Sequence, residues 1–316
     1  MAVYTPVSAE LLAGFLARYD VGALVSSKGI AEGVENTNYL VDTTTGRFVL
    51  TLYEKRVDGG DLPYFMDLLD HLAARGNPVP PAIKDRGGVA IQTLEGRPAC
   101  LIQFLPGVSV THPTPAQAFA AGQAMGRMHA ALADFAAVRP NSMGVATWQP
   151  LLDRCGTELD SIAPGLHANA SAMLASVLRD WPSDLPTATI HADLFPDNVL
   201  MRGDQVSGLI DFYFACTDIR ALDVAILHSA WAFDAEGRTI DRAVGAALIE
   251  GYDATFGLSA AERAQLVTLA KGACLRFFLS RAWDWLNTPA DALVTRKDPL
   301  AYLRRYQTYA TDDLFQ

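Results

Sequence analysis

A chain of 316 residues, 50% hydrophobic and 19% charged, is long enough for one large or two moderate domains with real cores. Its formal net charge of −10 gives no basic face for nucleic acid, and no run of about eighteen uncharged apolar residues is present to span a membrane. Acidity does not exclude a phosphate-bearing ligand, because phosphates are held by local backbone amides, lysines and bound cations rather than by net charge.

Residues Ser8 to Tyr19 set Leu11, Leu12, Phe15, Leu16 and Tyr19 at helical spacing behind Ser8, an N-cap residue type. The pattern then turns to strands over Ala23 to Ile30, Asn38 to Asp42 and Arg47 to Tyr53, with a loop around Gly33 and a Thr-Thr-Thr-Gly turn ending at Gly46. A helix is expected over Pro63 to Ala74, closed by Gly76 and Pro78 and lying on that sheet. Two more strands, Gly88 to Leu94 and Arg97 to Phe104, complete a small lobe of five strands with one inserted helix.

Pro106-Gly107 marks the lobe boundary, and helices follow. They are expected over Pro115 to Leu132, Leu151 to Leu159, Asn169 to Leu178, Ala221 to Phe233, Asp241 to Tyr252, Ala260 to Leu286 and Pro299 to Tyr309. Only Thr189 to Phe214 interrupts them, with short strands over Thr189 to His191, Val199 to Met201 and Val206 to Ile210. Cys100, Cys155, Cys216 and Cys274 form neither a C-x-x-C pair nor a zinc spacing, and read as buried thiols of a cytoplasmic protein. Met1 to Glu10 lacks the basic and apolar regions of a signal peptide, so no targeting to a membrane is expected.

The chemistry concentrates in that interruption. Phosphoryl transfer to an alcohol needs a carboxylate facing the hydroxyl, ligands for Mg²⁺ between the phosphates, and a roof over the nucleotide. Asp193 is the candidate catalytic carboxylate, Asn198 a metal ligand across the same loop, and Asp211 the main metal ligand after an intervening hairpin that folds the chain back on itself. A lone D-x-x-x-x-N arises by chance and Asx residues commonly cap turns. Here His191 stands two residues before Asp193, apolar strands flank both sides, and Ile210-Asp211-Phe212 follows.

The motif H-x-D-x-x-x-x-N followed by I-D-F resembles the aminoglycoside phosphotransferase and choline kinase group of small-molecule kinases. Gly33-Val34-Glu35-Asn36-Thr37-Asn38-Tyr39, Phe48-Val49-Leu50-Thr51-Leu52-Tyr53-Glu54, Ile210 to Cys216 and Lys297-Asp298-Pro299 are similar to the bacterial homoserine kinases within it. The resemblance covers nearly the whole chain. It implies an α+β, protein-kinase-like fold with a nucleotide-binding lobe over 1–106 and a helical catalytic and substrate-binding lobe over 107–316. It also implies ATP and Mg²⁺ as cofactors and ATP-dependent phosphorylation of the side-chain hydroxyl of L-homoserine to O-phospho-L-homoserine, a step towards threonine. On this resemblance Asp193 is catalytic, His191 braces the loop, Asn198 and Asp211 bind Mg²⁺, and Asp223 supports the loop structurally. Gly33, Asn36 and Thr51 fall in the nucleotide site, and the backbone from Gln103 to Leu105 is the adenine hinge.

Two positions depart from the kinase pattern. The loop near Gly33 is not G-x-G-x-x-G, and Thr51 stands where the third strand normally carries a phosphate-binding lysine. Lys28, Lys55 and Arg56 are the candidates to supply that charge, and strand register decides which faces the nucleotide. A zwitterionic acceptor needs an anion for its ammonium and a cation for its carboxylate. Asp218 is the candidate anion, and Arg276, Arg281 and Lys297 the cations, with Tyr213 and Trp231 as walls; each also reads as an ordinary salt bridge or core aromatic. His129, at the end of an apolar helix, reads as structural. A related kinase acting on choline, an aminoglycoside or methylthioribose remains open, as does a non-catalytic pseudokinase-like binding protein, which Thr51 keeps in play.

Overall fold

The Ser8 hydroxyl accepts a hydrogen bond from the Leu11 amide and so starts α1 (Ala9–Leu16) one residue after the cap. The computed structural model describes residues 5–30, 36–54, 59–288 and 296–315, and the chain divides into two units, Met1–Pro106 and Gly107–Gln316. In the first unit α1 precedes β1 (Leu24–Ile30), β2 (Thr37–Thr43), β3 (Arg47–Leu52), α2 (Leu62–Ala74), β4 (Ala82–Ile83), β5 (Gln92–Leu94) and β6 (Arg97–Gln103). The strands are antiparallel in the order β1-β2-β3-β6-β4, with β5 paired to β6.

Alternation assigns the two faces of this sheet. Tyr39, Val41, Leu50, Leu52, Ala99 and Leu101 point to one side and pack on Leu12, Phe15, Leu16 and Tyr19 from α1 and its end. The Val, Leu and Phe side chains among them each contribute about 1.5–3 kcal/mol when fully buried. The other side carries Asn38, Leu40, Val49, Thr51, Cys100 and Ile102, and α2 meets it where Met66 Sδ lies 3.9 Å from Cys100 Sγ.

Two details differ from the sequence reading. Ala82–Ile83 adds a strand too short to carry a periodic signal. The strand read from Gly88 begins only at Gln92, because the Asp85 carboxylate binds the amides of Gly87 and Val89 and folds that stretch into a turn.

The second unit runs α3 (Pro115–Ala131), α4 (Trp148–Cys155), α5 (Leu166–Asp180), β7 (Thr187–Ile190), β8 (Val199–Arg202), β9 (Gln205–Leu209), β10 (Cys216–Ile219), α6 (Arg220–Trp231), α7 (Arg242–Asp253), α8 (Ala260–Asn287) and α9 (Leu300–Thr311). Helix α8 is capped by a reciprocal Ser259–Glu262 box and packs against α4, α5, α6 and α9. Helices α3 and α7 approach closely because Gly122 has no side chain; a Cβ there would run into the Leu248 carbonyl. The helical unit is interrupted further than expected, since β10 pairs with β7 and places Asp218 on a strand opposite Ala188. Among the described residues no helix is long and apolar enough to cross a membrane.

Candidate active site

Strand β7 ends at Ile190, and the next three residues turn sharply. Ala192 has φ 63°, a left-handed conformation that costs a non-glycine residue about 1–2 kcal/mol. The cost is met by bonds on both sides of its peptide. Asp223, in the first turn of α6, accepts the amides of His191 and Ala192, both at 2.8 Å. Arg276, from the middle of α8, donates Nη1 to the Ala192 carbonyl at 2.6 Å. Asp193 is thus presented from a backbone clamped by residues 31 or more positions away.

Asp223 is itself fixed. Its Oδ2 lies 3.1 Å from His129 Nε2, and His129 Nδ1 lies 2.9 Å from the Tyr252 hydroxyl, all of it buried. Burial alone would raise the Asp223 pKa, but the hydrogen bond from His129, the two neighbouring imidazoles and the His191 amide together hold it below the usual carboxylate range.

His191 is locked as a neutral brace. Its Nε2 donates to the Ile210 carbonyl at 3.0 Å while Nδ1 accepts the Asp193 amide at 3.3 Å, which assigns the tautomer. Burial depresses its pKa against the pull of Asp223 and the Ile210 carbonyl. Such a ring links the catalytic loop to the residue before Asp211 and cannot serve as a proton carrier while both nitrogens are engaged.

The hairpin performs the convergence that the spacing requires. Val199 pairs with Leu209, and the Ile210 amide donates to the Asn198 carbonyl at 3.0 Å, so Asn198 lies across from the residue that precedes Asp211 at the open end of β8–β9. Asn198 Nδ2 donates to the Asp193 carbonyl at 2.8 Å, which leaves Oδ1, the candidate ligating atom, out of that bond. Asp211 is exposed and also left-handed, at φ 65° and ψ 58°. Mg²⁺ is typically held by one or two oxygen side chains with phosphate and water completing its shell. An amide oxygen and a carboxylate fit that donor set, and among the described residues no group of three or more His, Cys, Asp or Glu forms a cage.

Asp193 is half-buried. Burial pushes its carboxyl up to about 8, Arg276 and Lys297 draw it down, and Asp211 and Asp197 raise it as like charges. A carboxylate balanced near neutrality is suited to take a hydroxyl proton.

The acceptor candidates separate. Arg276 is buried and spent on Ala192, with its guanidinium over Phe277 and Phe214. Trp231 is buried and donates Nε1 to the Leu194 carbonyl at 3.1 Å, buttressing the loop from below. Asp218 is engaged by Asn141 Nδ2 at 2.6 Å and by the Ile219 amide at 2.6 Å. Tyr213 lies half-buried in the 3-10 turn Phe212–Phe214. Arg281 and Lys297 stand over the rings of Tyr302 and Phe195. Sequence reasoning did not single out Phe195 or the strain at Ala192 and Asp211; the aromatic at Phe195 was visible inside the motif, whereas left-handed backbone at a non-glycine residue leaves no sequence signal.

In the first unit, Gly33 lies outside the described residues, as do Lys55 and Arg56. Asn36 is buried and its Oδ1 accepts the Glu54 amide at 3.4 Å. Thr51 Oγ1 donates to Asn38 Oδ1 at 2.8 Å. Thr51 aligns with Asn38 and Ile30 across the sheet, and Lys28 aligns with Leu40 and Val49, so Lys28 shares the face of Thr51. Arg47, also on that face, is paired with Asp42 at 2.6 Å. At the hinge, the Gln103 amide already donates to the Pro81 carbonyl at 3.1 Å, while Leu105 is half-buried.

Known proteins can be set beside this geometry. The sequence pattern of the phosphotransferase enzyme family matches residues 26–258. A homoserine kinase of Gluconobacter oxydans is 52% identical over 311 residues, covering 98% of both chains. A homoserine kinase of Xanthobacter autotrophicus is 49% identical over 316 residues, 100% of this chain and 98% of its own. Among solved structures, the amicoumacin kinase in complex with AMP-PNP, Ca²⁺ and Ami superposes with a TM-score of 0.71 at 15% identity, over 98% of this chain and 95% of that one.

Proposed function

From the premise that this chain belongs to the phosphotransferase enzyme family, we infer that it transfers the γ-phosphoryl group of ATP to the side-chain hydroxyl of L-homoserine, giving O-phospho-L-homoserine on the route to threonine. The observation that carries phosphoryl transfer is the clamped Asp193 with Asn198 and Asp211 brought to the open end of one hairpin. The acceptor follows from homoserine kinases that are about half identical along nearly the whole chain.

Each residue then has a task. Asp193 orients the hydroxyl and takes its proton as the new O–P bond forms and the bond from the γ-phosphorus to the departing ADP breaks. Asn198 Oδ1 and the Asp211 carboxylate would hold Mg²⁺, which would supply charge neutralisation to the phosphates. His191 and Asp223 fix the loop, so the carboxylate meets the hydroxyl without first paying to reorganise. Residues 1–106 serve the nucleotide and 107–316 the catalysis and the acceptor. Within the former, Asn36 and Thr51 shape the roof rather than contact phosphate as charges, and Lys28 supplies the cation that Thr51 lacks. Adenine is read by the Gln103 carbonyl and the backbone to Leu105, because the Gln103 amide is taken. Four buried thiols, with Cys216 and Cys274 pushed up to about 12 by burial, suit the reducing cytoplasm.

The test is product formation from ATP, Mg²⁺ and a panel of alcohols that includes homoserine, choline, an aminoglycoside and methylthioribose. Homoserine should be the preferred acceptor, and Asp193→Asn should lower kcat by about three or more orders of magnitude while ATP still binds. A phosphate ester on another alcohol with none on homoserine would overturn the acceptor assignment, and near-normal turnover by Asp193→Asn would remove the residue from its role.

A further inference from the structure

Near Asp193, two cations make neither a hydrogen bond nor an ion pair among the described residues. Arg281, half-buried on α8, makes no hydrogen bond or ion pair among the described residues; its Cζ lies 4.5 Å from the centroid of the Tyr302 ring. Lys297 likewise has no such partner among the described residues, and its Nζ lies 5.8 Å from the centroid of Phe195. The neighbouring arginines are committed elsewhere. Arg276 binds the Ala192 carbonyl, Arg305 binds the Ser229 and Asp234 carbonyls at 2.9 and 2.8 Å, and Arg304 pairs with Asp298 at 3.2 Å.

The two rings beneath these cations belong to one aromatic floor. Phe195 and Phe277 centroids are 5.0 Å apart, Phe277 and Tyr302 4.9 Å, and Phe195 and Tyr302 6.4 Å. The floor begins at the catalytic loop itself, since the Phe195 amide donates to the Asp193 carbonyl at 2.8 Å. The Tyr302 hydroxyl is buried without a hydrogen-bond partner. In homoserine, four bonds, roughly 5 Å in extended form, separate the hydroxyl oxygen from the carboxylate carbon. A carboxylate partner for a hydroxyl held at Asp193 therefore has to come from this immediate surrounding.

We propose that Arg281 and Lys297 form the clamp for the α-carboxylate of the acceptor, and that they make the site select amino-acid alcohols over amino alcohols without a carboxylate. The clamp rests on the reading of homoserine as the acceptor. A guanidinium stacked on an aromatic ring presents its fork edge-on for a bidentate carboxylate, and it is weakly hydrated, so little is lost when the ligand displaces water. Burial lowers the Arg281 pKa, as expected for a cation desolvated without full compensation, and a bound anion removes that penalty. The same two charges repel an acceptor that carries only an ammonium group, which adds discrimination that attraction alone does not give.

The test compares L-homoserine with 3-aminopropan-1-ol, the same molecule without its carboxylate, in the wild type, Arg281→Met and Lys297→Met. Each substitution keeps most of the apolar stem and removes the charge. Each should raise the KM for homoserine by about 10–100-fold with a much smaller change in kcat. The KM for ATP should stay constant, and the ratio of kcat/KM for homoserine to that for 3-aminopropan-1-ol should fall by about tenfold or more. Because the ratio is taken within one variant, partial unfolding cancels. Equal losses for both acceptors, or a homoserine KM indifferent to both substitutions, overturn the clamp and leave the homoserine assignment standing. A wild-type enzyme that phosphorylates no carboxylate-bearing alcohol overturns the clamp and the assignment together.

Discussion

Asp223→Asn tests the strongest structural argument about the catalytic loop. Three donors converge on this one buried carboxylate: the His191 and Ala192 amides at 2.8 Å and His129 Nε2 at 3.1 Å. The asparagine keeps the shape but replaces one acceptor oxygen with a donor that faces a donor. Leaving a buried amide without its acceptor costs about 1–3 kcal/mol, and the left-handed Ala192, about 1–2 kcal/mol above relaxed backbone, loses one side of its clamp. A loss of about 2–4 kcal/mol follows, which for a unit of this size lowers Tm by about 5–15 °C. Relaxation of Ala192 moves Asp193, and a shift of about 1 Å lowers kcat by about a hundredfold with little effect on the KM for ATP.

Linkage gives this variant a second signature. The folded Asp223 pKa lies below its unfolded value of about 3.9, so its contribution is present above that value and is lost as pH falls through the folded pKa. The stability gap between wild type and variant is therefore widest above about pH 4 and narrows under stronger acid. Calorimetric melts across pH and steady-state kinetics measure both effects. A variant that melts within about 2 °C of wild type and keeps kcat within about threefold would refute the clamp.

On the proposed assignment of Asp211 to the metal, Asp211→Ala should weaken Mg·ATP binding as well as turnover; an unchanged Mg²⁺ dependence takes Asp211 out of the metal site. Lys28→Met should raise the KM for ATP by about 5–30-fold if this lysine supplies the charge absent at Thr51, and an unaltered KM excludes it. His228 is buried at Gly245 with Nδ1 2.6 Å from the Tyr309 hydroxyl, and burial pushes its pKa down to about 3. The unfolded chain takes up this proton below about pH 6.5 and the native state does not, so stability falls by about 1.4 kcal/mol per pH unit as pH drops from there. Chemical denaturation of His228→Phe should show a slope smaller by about one proton between about pH 6 and 4, and identical slopes would contradict the buried neutral ring.

The helices were legible because each combines apolar periodicity with a local stop or start. Ser8, Thr114 and Ser259 cap through residues three positions away, an interaction that needs no tertiary partner. The strands were less so. Ala82–Ile83 and Cys216–Ile219 are too short for periodicity and exist because β6 and β7 offer edges to pair with. Asp85 turned a run that reads as strand into a loop through its own side chain.

The same division runs through the site. By itself the sequence determined which residue types stand in the catalytic loop, and at what spacing, because Asp193, Asn198 and Asp211 lie within one local segment of 19 residues that the β8–β9 hairpin folds back on itself. Only the tertiary structure decided which arginine bonds to the catalytic-loop backbone and which does not. Arg276 meets Ala192 across 84 residues, while Arg281, little more than one helical turn further along α8, meets an aromatic floor instead. Likewise it was the register of β1 on β2 and β3 that put Lys28 on the face of Thr51. Side-chain partners across such separations depend on how elements pack, and packing is set by the whole core rather than by any one stretch of chain.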